Sequence, residues 1–338
     1  MPVRMRHIIH PLLFSTLLIG LANADHPKDF DTRIETIAFG SCNRQTLPQP
    51  MWDVIAENEP DLWIWAGDNI YGDSKDPEVI RAKYEQQLSN PSYAAFRETT
   101  SIIDTWDDHD FGWNNAGREY PIKQITQQLA LDFMGVPKDD PRRNREGIYG
   151  SYEFGPKNQR VKVLLLDGRY FASGNDAQTP ELLGGAQKEW LENELLGSTA
   201  QIHFIVSGIQ IVSEEHRYEH WGHYPQDRSW LIDLIAEADL PGIVLLSGDR
   251  HIHEFSLLED KRLSHSLLDA TSSGLTHSWK KYKGEKNRHR IGEVYKQQGF
   301  GLIQLDWAET SCIVTVQIRD GENQPVNAHT IEFSLEHM

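Results

Sequence analysis

Cysteine is scarce in this sequence, since the 338 residues include only Cys42 and Cys312. So few cysteines exclude a small scaffold held together by several disulfides. A disulfide between the two is the simplest interpretation in an oxidising compartment, but their settings differ. Cys42 ends the run Gly40-Ser41-Cys42 after an apolar strand, where reactive loops are common, whereas Cys312 lies inside the apolar run 311–318. We therefore favour a ligand role for Cys42 and core packing for Cys312.

Long apolar runs are missing after residue 21, so no later segment is predicted to span a bilayer. The run over residues 8–21 follows Arg4 and Arg6 and ends at Ala22-Asn23-Ala24. A basic start, a short apolar stretch and a small-x-small site are typical of a secretory signal peptide. A membrane anchor is less favoured, because the run is short and contains polar residues. We predict a signal peptide over residues 1–24 and an exported protein, periplasmic or secreted.

Positive charge is in short supply, because 33 Lys and Arg face 50 Asp and Glu, for a formal net charge of −17. A protein that binds the backbone of a nucleic acid needs a basic face, so no nucleic-acid partner is expected. A small phosphorylated substrate is compatible with this charge, since bound cations reverse the field at one site. The sequence indicates no protein partner.

Apolar and helical segments alternate over the first two thirds of the chain. Strands are predicted at residues 36–39, 62–66, 101–106, 161–166, 202–207 and 243–247, with helices at residues 51–58, 78–88, 122–134, 186–196 and 230–238. This alternation favours a mostly parallel sheet with helices on its faces.

After residue 253 mainly strands follow, at residues 255–258, 266–270, 301–305, 311–318 and 330–333. The alternating pattern of residues 311–318 predicts antiparallel pairing with one covered face. We infer two sheets packed in a single domain over residues 25–338, with a surface loop at 274–298.

Four polar clusters each follow an apolar strand. They are Gly40-Ser41-Cys42, Gly67-Asp68-Asn69-Ile70-Tyr71, Asp107-Asp108-His109-Asp110 and Asp249-Arg250-His251. Sites in open α/β sheets form beyond the carboxyl ends of the strands, so we expect these clusters to converge. Their thiol, carboxylate, phenol and imidazole groups are metal ligands, and ionised carboxylates this dense coexist readily only around cations. A pair of cations can clamp a phosphoryl group, with a nearby His as proton donor.

Each cluster taken alone also has a structural interpretation. Gly-Ser-Cys turns are common, Gly67-Asp68-Asn69 fits an ordinary turn, and Asp249-Arg250-His251 fits a salt-bridged turn. His253 and Glu254 fit the start of the next strand. The recurrence of such clusters after four strands favours the metal interpretation over four independent turns.

At these motifs the sequence resembles the alkaline phosphatase D (PhoD-like) family of metallophosphoesterases. The matching segments lie in the family's order over residues 36–255 and include Trp106-Asp107-Asp108-His109-Asp110, Leu166-Asp167-Gly168-Arg169 and Ser247-Gly248-Asp249-Arg250-His251. The resemblance implies an α/β fold: a four-layer α/β/β/α sandwich of mixed sheets with a metal site at the carboxyl ends of strands. It also implies hydrolysis of phosphate monoesters or diesters by a metal-activated hydroxide.

The resemblance further implies a two-metal centre, with Fe³⁺ beside Ca²⁺; zinc or another divalent ion is the alternative. Asp68 would bridge the two positions, and Cys42 and Tyr71 would bind the ferric ion. Asp108 and Asp249 would belong to the calcium position. The implied metal ligands are therefore Cys42, Asp68, Tyr71, Asp108, Asp249 and His251.

Catalytic and substrate-binding roles follow from the same resemblance. His109 would donate a proton and stabilise the oxyanion. Arg250 or Arg169 would hold phosphate oxygens, for which arginine is suited by its bidentate geometry, or would form structural ion pairs. Asp107 is the alternative to Asp108 as the ligand at the calcium position, since the two residues can exchange roles.

Two alternative functions stay open at this point. One is a phospholipase D-like enzyme or nucleotide diesterase with the same metals, since loops such as residues 213–228 and 274–298 would set substrate choice. The other is a non-catalytic, calcium-binding secreted protein. A calcium-only site uses oxygen ligands and gains nothing from the thiolate of Cys42, which favours the enzyme.

Overall fold

The computed structural model describes residues 30–174 and 177–335, so the predicted signal peptide lies outside the described residues. The strands are β1 (Thr36–Gly40), β2 (Leu62–Ala66), β3 (Ser101–Thr105), β4 (Gly150–Phe154), β5 (Val161–Leu165), β6 (Ile202–Ser207), β7 (Gly242–Ser247), β8 (His253–Leu258), β9 (Leu267–Ser272), β10 (Arg290–Tyr295), β11 (Gly299–Trp307), β12 (Ser311–Asp320) and β13 (Pro325–Ser334). The α-helices are α1 (Met51–Ala56), α2 (Pro77–Leu88), α3 (Pro91–Thr99), α4 (Asp108–Phe111), α5 (Lys123–Phe133), α6 (Gly184–Leu196) and α7 (Pro225–Ala238). Among the described residues, no helix combines the length and apolar character that crossing a bilayer requires.

The strands form two mixed sheets. The first has the order β13-β12-β11-β1-β2-β3, and the second has the order β10-β8-β9-β7-β6-β5-β4. In the first sheet β1, β2 and β3 run parallel, and in the second β5, β6, β7 and β9 run parallel. Each sheet therefore collects the carboxyl ends of several strands at one edge, where sites form in α/β proteins.

Apolar side chains divide the molecule into layers. One core cluster lies between the two sheets. A second lies between the first sheet and helices α1–α5, where Trp52 packs edge-on against Trp63 and Trp65 at centroid distances of 5.1 and 5.2 Å. A third lies between the second sheet and helices α6 and α7. The predicted four-layer α/β/β/α sandwich is confirmed.

Burial along the strands follows their position in the sandwich. Every residue of β2 is buried, because helices cover one face of its sheet and the other sheet covers the opposite face. Burial alternates along β12, where Cys312, Val314 and Val316 belong to the core between the sheets. The predicted role of Cys312 in core packing agrees with this position, and both Cys312 and Cys42 are free thiols.

Helices α3 and α4 and strands β4 and β10 were not predicted from the sequence. Helix α3 has a clear start, since the side chain of Asn90 accepts a hydrogen bond from the amide of Tyr93 and Pro91 occupies the first turn. Strand β4 pairs antiparallel with β5 at one edge of the second sheet. Strand β10 replaces part of the predicted surface loop at 274–298. It is an edge strand with no fully buried residue, so its apolar pattern is weak.

Candidate metal centre

Loops at the carboxyl ends of the parallel strands carry the predicted ligands. The first sheet contributes through the segments after β1, β2 and β3, and the second contributes through the segment after β7. Close contacts connect seven of the predicted site residues: Cys42, Asp68, Tyr71, Asp108, His109, Asp249 and His251.

Three sets of side chains bring ligand atoms within 4.8 Å of one another. The sets are Cys42, Asp68 and His251; Asp68, Asp108 and His109; and Asp107, Asp108 and Asp249. Asp68 and Asp108 each belong to two sets, and such sharing is expected of carboxylates near two metal positions; Asp68 is the one that links the set containing Cys42 to the next set. Asp107 joins Asp108 in one set, so the two residues lie side by side.

Four of the candidate ligand residues have a left-handed backbone conformation that non-glycine residues rarely adopt. The φ angle is 60° at Cys42, 52° at Asp68, 66° at Asp249 and 54° at His251. Such residues cost of order 1–3 kcal/mol each and collect at functional sites. Strain at four candidate ligands therefore favours a functional role for these turns over an ordinary structural one.

Two glycines allow the loops to approach one another closely. A Cβ atom at Gly208 would lie 2.3 Å from Oδ1 of Asp107, and one at Gly67 would lie 2.5 Å from Cβ of Asp107. Gly208 belongs to the segment after β6, to which the sequence assigns no particular ligand residue. In the same segment Gln210 donates a hydrogen bond to Glu254 at 2.7 Å.

The thiol of Cys42 is fully buried among polar groups. Its Sγ lies 3.0 Å from Oγ of Ser273 and 3.4 Å from Oδ2 of Asp68. Burial, together with the charges of Asp68 and Asp249, raises the pKa of Cys42 well above its ordinary value. A thiolate at this position therefore requires a cation, which is how metal ligands are deprotonated.

The phenol of Tyr71 is the meeting point of several site residues. Its hydroxyl lies 3.3 Å from Oδ2 of Asp68 and 3.1 Å from Nε2 of both His251 and His277. Burial and then the charge of Cys42 raise the pKa of Tyr71 well above its ordinary value. Burial and His277 lower the pKa of His251 to about 3, so this imidazole is neutral and able to bind a metal.

The carboxylates of the site resist ionisation in the chain alone. Burial and Asp108 raise the pKa of Asp68 well above its ordinary value, and burial and Asp107 do the same for Asp249. Burial raises the pKa of Asp107 to about 7 although Arg169 opposes it. For Asp108 the charges of Arg169 and His109 outweigh burial and lower the pKa.

This donor set fits bound cations. Oδ2 of Asp107 and Oδ1 of Asp108 are buried and have no hydrogen-bond partner among the described residues. Buried carboxylate oxygens without a donor are costly unless a cation neutralises them. The thiol, phenol and imidazole around Asp68 suit a transition metal, and the carboxylates around Asp108 suit a harder ion.

Asp110, the last residue of the Asp107-Asp108-His109-Asp110 motif, supports the loops. Its carboxylate accepts hydrogen bonds from the amide of Asp107 at 2.6 Å and from the amide of Asn69 at 3.1 Å. It thereby links the segment after β3 to the segment after β2. The motif thus combines candidate ligands with a residue that fixes their backbone.

His109 belongs to one of the three ligand sets and also has a carboxylate partner outside it. Its Nδ1 lies 2.7 Å from Oδ1 of Asp73, and its ring lies 4.1 Å from the ring of Tyr71. Burial lowers the pKa of His109, but the hydrogen bond to Asp73 and the charge of Asp108 outweigh it, so the net pKa is raised. A histidine held in this way can carry a proton for a leaving group.

The two arginines predicted to hold phosphate are engaged with carboxylates. Arg169 is 2% exposed and donates from Nε to Asp107 at 2.6 Å and from Nη1 to Glu219 at 2.9 Å. Arg250 is also buried and pairs with Glu285. These contacts correspond to the structural ion pairs that the sequence left open, and phosphate binding by either residue stays a prediction.

Sequence reasoning missed several residues at this site. Ser273 and His277 follow β9, another strand of the second sheet whose carboxyl end reaches the same place. Asp73 lies two residues beyond Tyr71 and Arg44 two residues beyond Cys42. The polar run Ser272-Ser273 after an apolar strand was the available signal, because it repeats the pattern of the other four clusters.

The two segments predicted to set substrate choice, residues 213–228 and 274–298, contact each other. Glu215 pairs with Arg288 at 3.2 Å, and the ring of Tyr218 lies 5.4 Å from the ring of Trp279. The amide of Trp279 donates to the carbonyl of His251 at 2.7 Å. Parts of segments 213–228 and 274–298 therefore pack together next to a candidate ligand.

A family model and a curated relative match this chain. The family model described as PhoD-like phosphatase matches residues 37–279. The curated protein alkaline phosphatase D of Bacillus subtilis (strain 168) is 24% identical over 271 residues, which cover 64% of this chain and 46% of that protein. The chain therefore spans about half the length of the curated relative that it matches.

Solved structures show the same fold. The structure of PhoD matches with a TM-score of 0.69 and 19% identity, over 90% of this chain and 70% of that chain. GAP50, described as the anchor in the inner membrane complex of Plasmodium, matches with a TM-score of 0.59 and 13% identity, over 89% and 90% of the two chains. A dimetal phosphatase from Danio rerio matches with a TM-score of 0.52 and 12% identity, over 89% and 100%.

Proposed function

This chain belongs to the PhoD-like phosphatase family, and we propose that it is an exported, two-metal phosphoesterase that hydrolyses phosphate monoesters, diesters or both. The fold alone does not carry this proposal, because GAP50 shares the fold and is described as an anchor. The proposal depends on the site and its chemistry.

The observation that carries the proposal is the position of Asp68. Its carboxylate lies within 4.8 Å of ligand atoms of Cys42 and His251 in one set and of Asp108 and His109 in another. A carboxylate shared in this way suits a bridge between two cations, which is the arrangement that phosphoryl-transfer enzymes with two metals use.

We assign the ligands from the family resemblance described above, with which the donor chemistry is compatible. Cys42, Tyr71, Asp68 and His251 would hold Fe³⁺, and Asp68, Asp108 and Asp249 would hold Ca²⁺, with zinc or another divalent ion as the alternative. When bound, such ions supply Lewis acidity and a water of lowered pKa. His109, oriented by Asp73, holds a proton for the leaving oxygen.

Export is the part of the proposal that depends on residues 1–24 alone. Their basic start, apolar run and Ala22-Asn23-Ala24 site support a cleaved signal peptide. The amino-terminal sequence of the protein purified after expression in a bacterium with a periplasm tests it. Cleavage before Asp25 is the expected result, and an intact amino terminus in the cytoplasmic fraction would contradict export.

Metal content and activity should be measured on the same preparation. We expect two metal ions per chain, visible absorption from a ferric–phenolate pair, and release of phosphate or alcohol from a monoester, a diester or both. Cleavage of a phospholipid substrate would favour the phospholipase D-like alternative. Metal-loaded protein that cleaves none of these esters would refute the phosphoesterase. Active protein without iron would refute only the assignment of Fe³⁺.

A further inference from the structure

Arg44 differs from Arg169 and Arg250 because its guanidinium is not paired with a carboxylate among the described residues. Arg44 is exposed, and its guanidinium makes no ion pair with the described carboxylates. In contrast, Arg169 and Arg250 are buried and paired with carboxylates, as described above. Arg44 is therefore the arginine at this site whose charge stays available to a ligand.

The position of Arg44 is fixed at both its main chain and its side chain. Its amide donates a hydrogen bond to Oγ1 of Thr276 at 2.7 Å. Its guanidinium carbon lies over the ring of Tyr71, 4.6 Å from the ring centroid. Stacking on an aromatic ring orients an arginine while leaving its N–H donors free. Since Tyr71 contacts Asp68 through its hydroxyl, the guanidinium lies at the edge of the candidate metal centre.

Thr276 links Arg44 to a second polar side chain on the same side of the site. Its hydroxyl also lies 3.1 Å from Nδ1 of His277 and 3.3 Å from the carbonyl of Cys42. Nε2 of His277 lies 3.1 Å from the hydroxyl of Tyr71. Thr276, in the segment after β9, thus contacts both Arg44 and His277. The side chains of these two residues both contact Tyr71.

The charge of Arg44 distinguishes two kinds of phosphate ester. A phosphate monoester has three unesterified oxygens. At neutral and alkaline pH it carries up to two negative charges, since its second pKa is about 6. A diester carries one charge and two such oxygens. The third oxygen is a natural acceptor for a guanidinium, whose fork of N–H groups matches phosphate oxygens.

Given the phosphoesterase proposed above, we propose that Arg44 binds the unesterified oxygen that only a monoester has, and that this residue sets the preference for monoesters over diesters. It acts on substrate affinity, because the charge that it meets is present before the reaction begins. In a diester that oxygen carries a second ester group, so it offers no negative charge to the guanidinium.

The test compares Arg44→Gln with the wild-type protein on p-nitrophenyl phosphate and bis(p-nitrophenyl) phosphate, which share a leaving group. We expect kcat/KM for the monoester to fall roughly tenfold, or about 1.4 kcal/mol, mainly through KM. The diester should change less than about twofold, and Arg44→Lys should recover part of the loss because it restores the charge without the fork. Arg81→Gln, at an exposed arginine on α2, is the matched control and should leave both substrates unchanged.

Three results would overturn the inference: an equal fall on both esters, no change on either, or a wild-type protein that cleaves diesters alone. Metal content measured on each variant separates loss of substrate binding from loss of the centre. If the wild-type protein cleaves neither ester, the phosphoesterase proposal fails. Calorimetric binding of inorganic phosphate then decides the role of Arg44, with weaker binding to Arg44→Gln in support and equal binding against.

Discussion

Replacing Asp104 by Asn should stabilise the protein at alkaline pH and have little effect at acidic pH. Asp104 lies on β3, three residues before Asp107, and is 4% exposed. Its Oδ2 has no hydrogen-bond partner among the described residues. Burial raises the pKa of Asp104 from 3.8 to about 8, although Arg142 and Arg97 oppose the effect.

The sign and magnitude follow from proton linkage. Between about pH 4 and pH 8 the unfolded chain has lost this proton and the folded chain retains it, so stability falls as pH rises. Over the three units from pH 5 to pH 8, at about 1.36 kcal/mol per unit, the loss is about 4 kcal/mol. The amide introduced by Asp104→Asn does not ionise over this range, so the variant avoids that loss.

The assay is urea unfolding of both proteins at pH 5 and pH 8, at one fixed metal concentration, followed by tryptophan fluorescence. The advantage of Asp104→Asn should grow between the two pH values by up to about 4 kcal/mol. Asp139→Asn, at an exposed position, serves as the control and should show no such growth. A difference between Asp104→Asn and wild type that is the same at both pH values would refute the reasoning.

Three further predictions concern the metal centre. Asp68→Ala should remove both metal and activity, because Asp68 is shared by two ligand sets; metal content equal to wild type would argue against a bridging role. His109→Ala should keep metal near normal and lower kcat on the order of 100-fold or more, since it removes the proton donor; full activity, or metal loss as great as in Asp68→Ala, would contradict that role. Asp73→Asn removes the charge that, against the effect of burial, helps to raise the pKa of His109. Loss of activity as His109 deprotonates should then begin at lower pH, so the alkaline limb of the kcat profile should move toward acid; an unmoved limb would show that His109 does not limit that side.

Much of the fold was predictable because the buried strands have simple patterns. Strand β2 was predicted with its observed bounds, since all its residues are apolar and polar residues follow at once. The alternation in β12 predicted which face of that strand is covered. Strand β10 was missed because an edge strand with half-exposed residues needs no apolar pattern. The apolar pattern of a sequence indicates which residues are buried. The pattern is weak in a strand that is stabilised mainly by pairing with one neighbour.

The candidate site was partly predictable for a related reason. Residues that follow parallel strands directly must lie at one edge of the sheet, so the convergence of Asp68 and Asp249 could be inferred from order alone. His277 could not, because it lies five residues beyond the end of β9, inside a segment that the sequence indicated as a loop. The same limit applies to the ion pairs of Arg169 and Arg250. The partners of Arg169 lie 62 and 50 residues away and that of Arg250 lies 35 residues away, so no local sequence pattern indicates these pairs.

The origin of the ligands in two different sheets has a mechanical consequence. Cys42 and Asp68 come from one layer of the sandwich and His251 from the other, and Asp107 and Asp249 likewise face each other across the boundary. A cation bound by either set would therefore hold the two layers together at this edge of the sandwich. We therefore expect a chelator to weaken the packing of the two layers as well as to abolish catalysis, because it removes the ligands' shared contact with a cation.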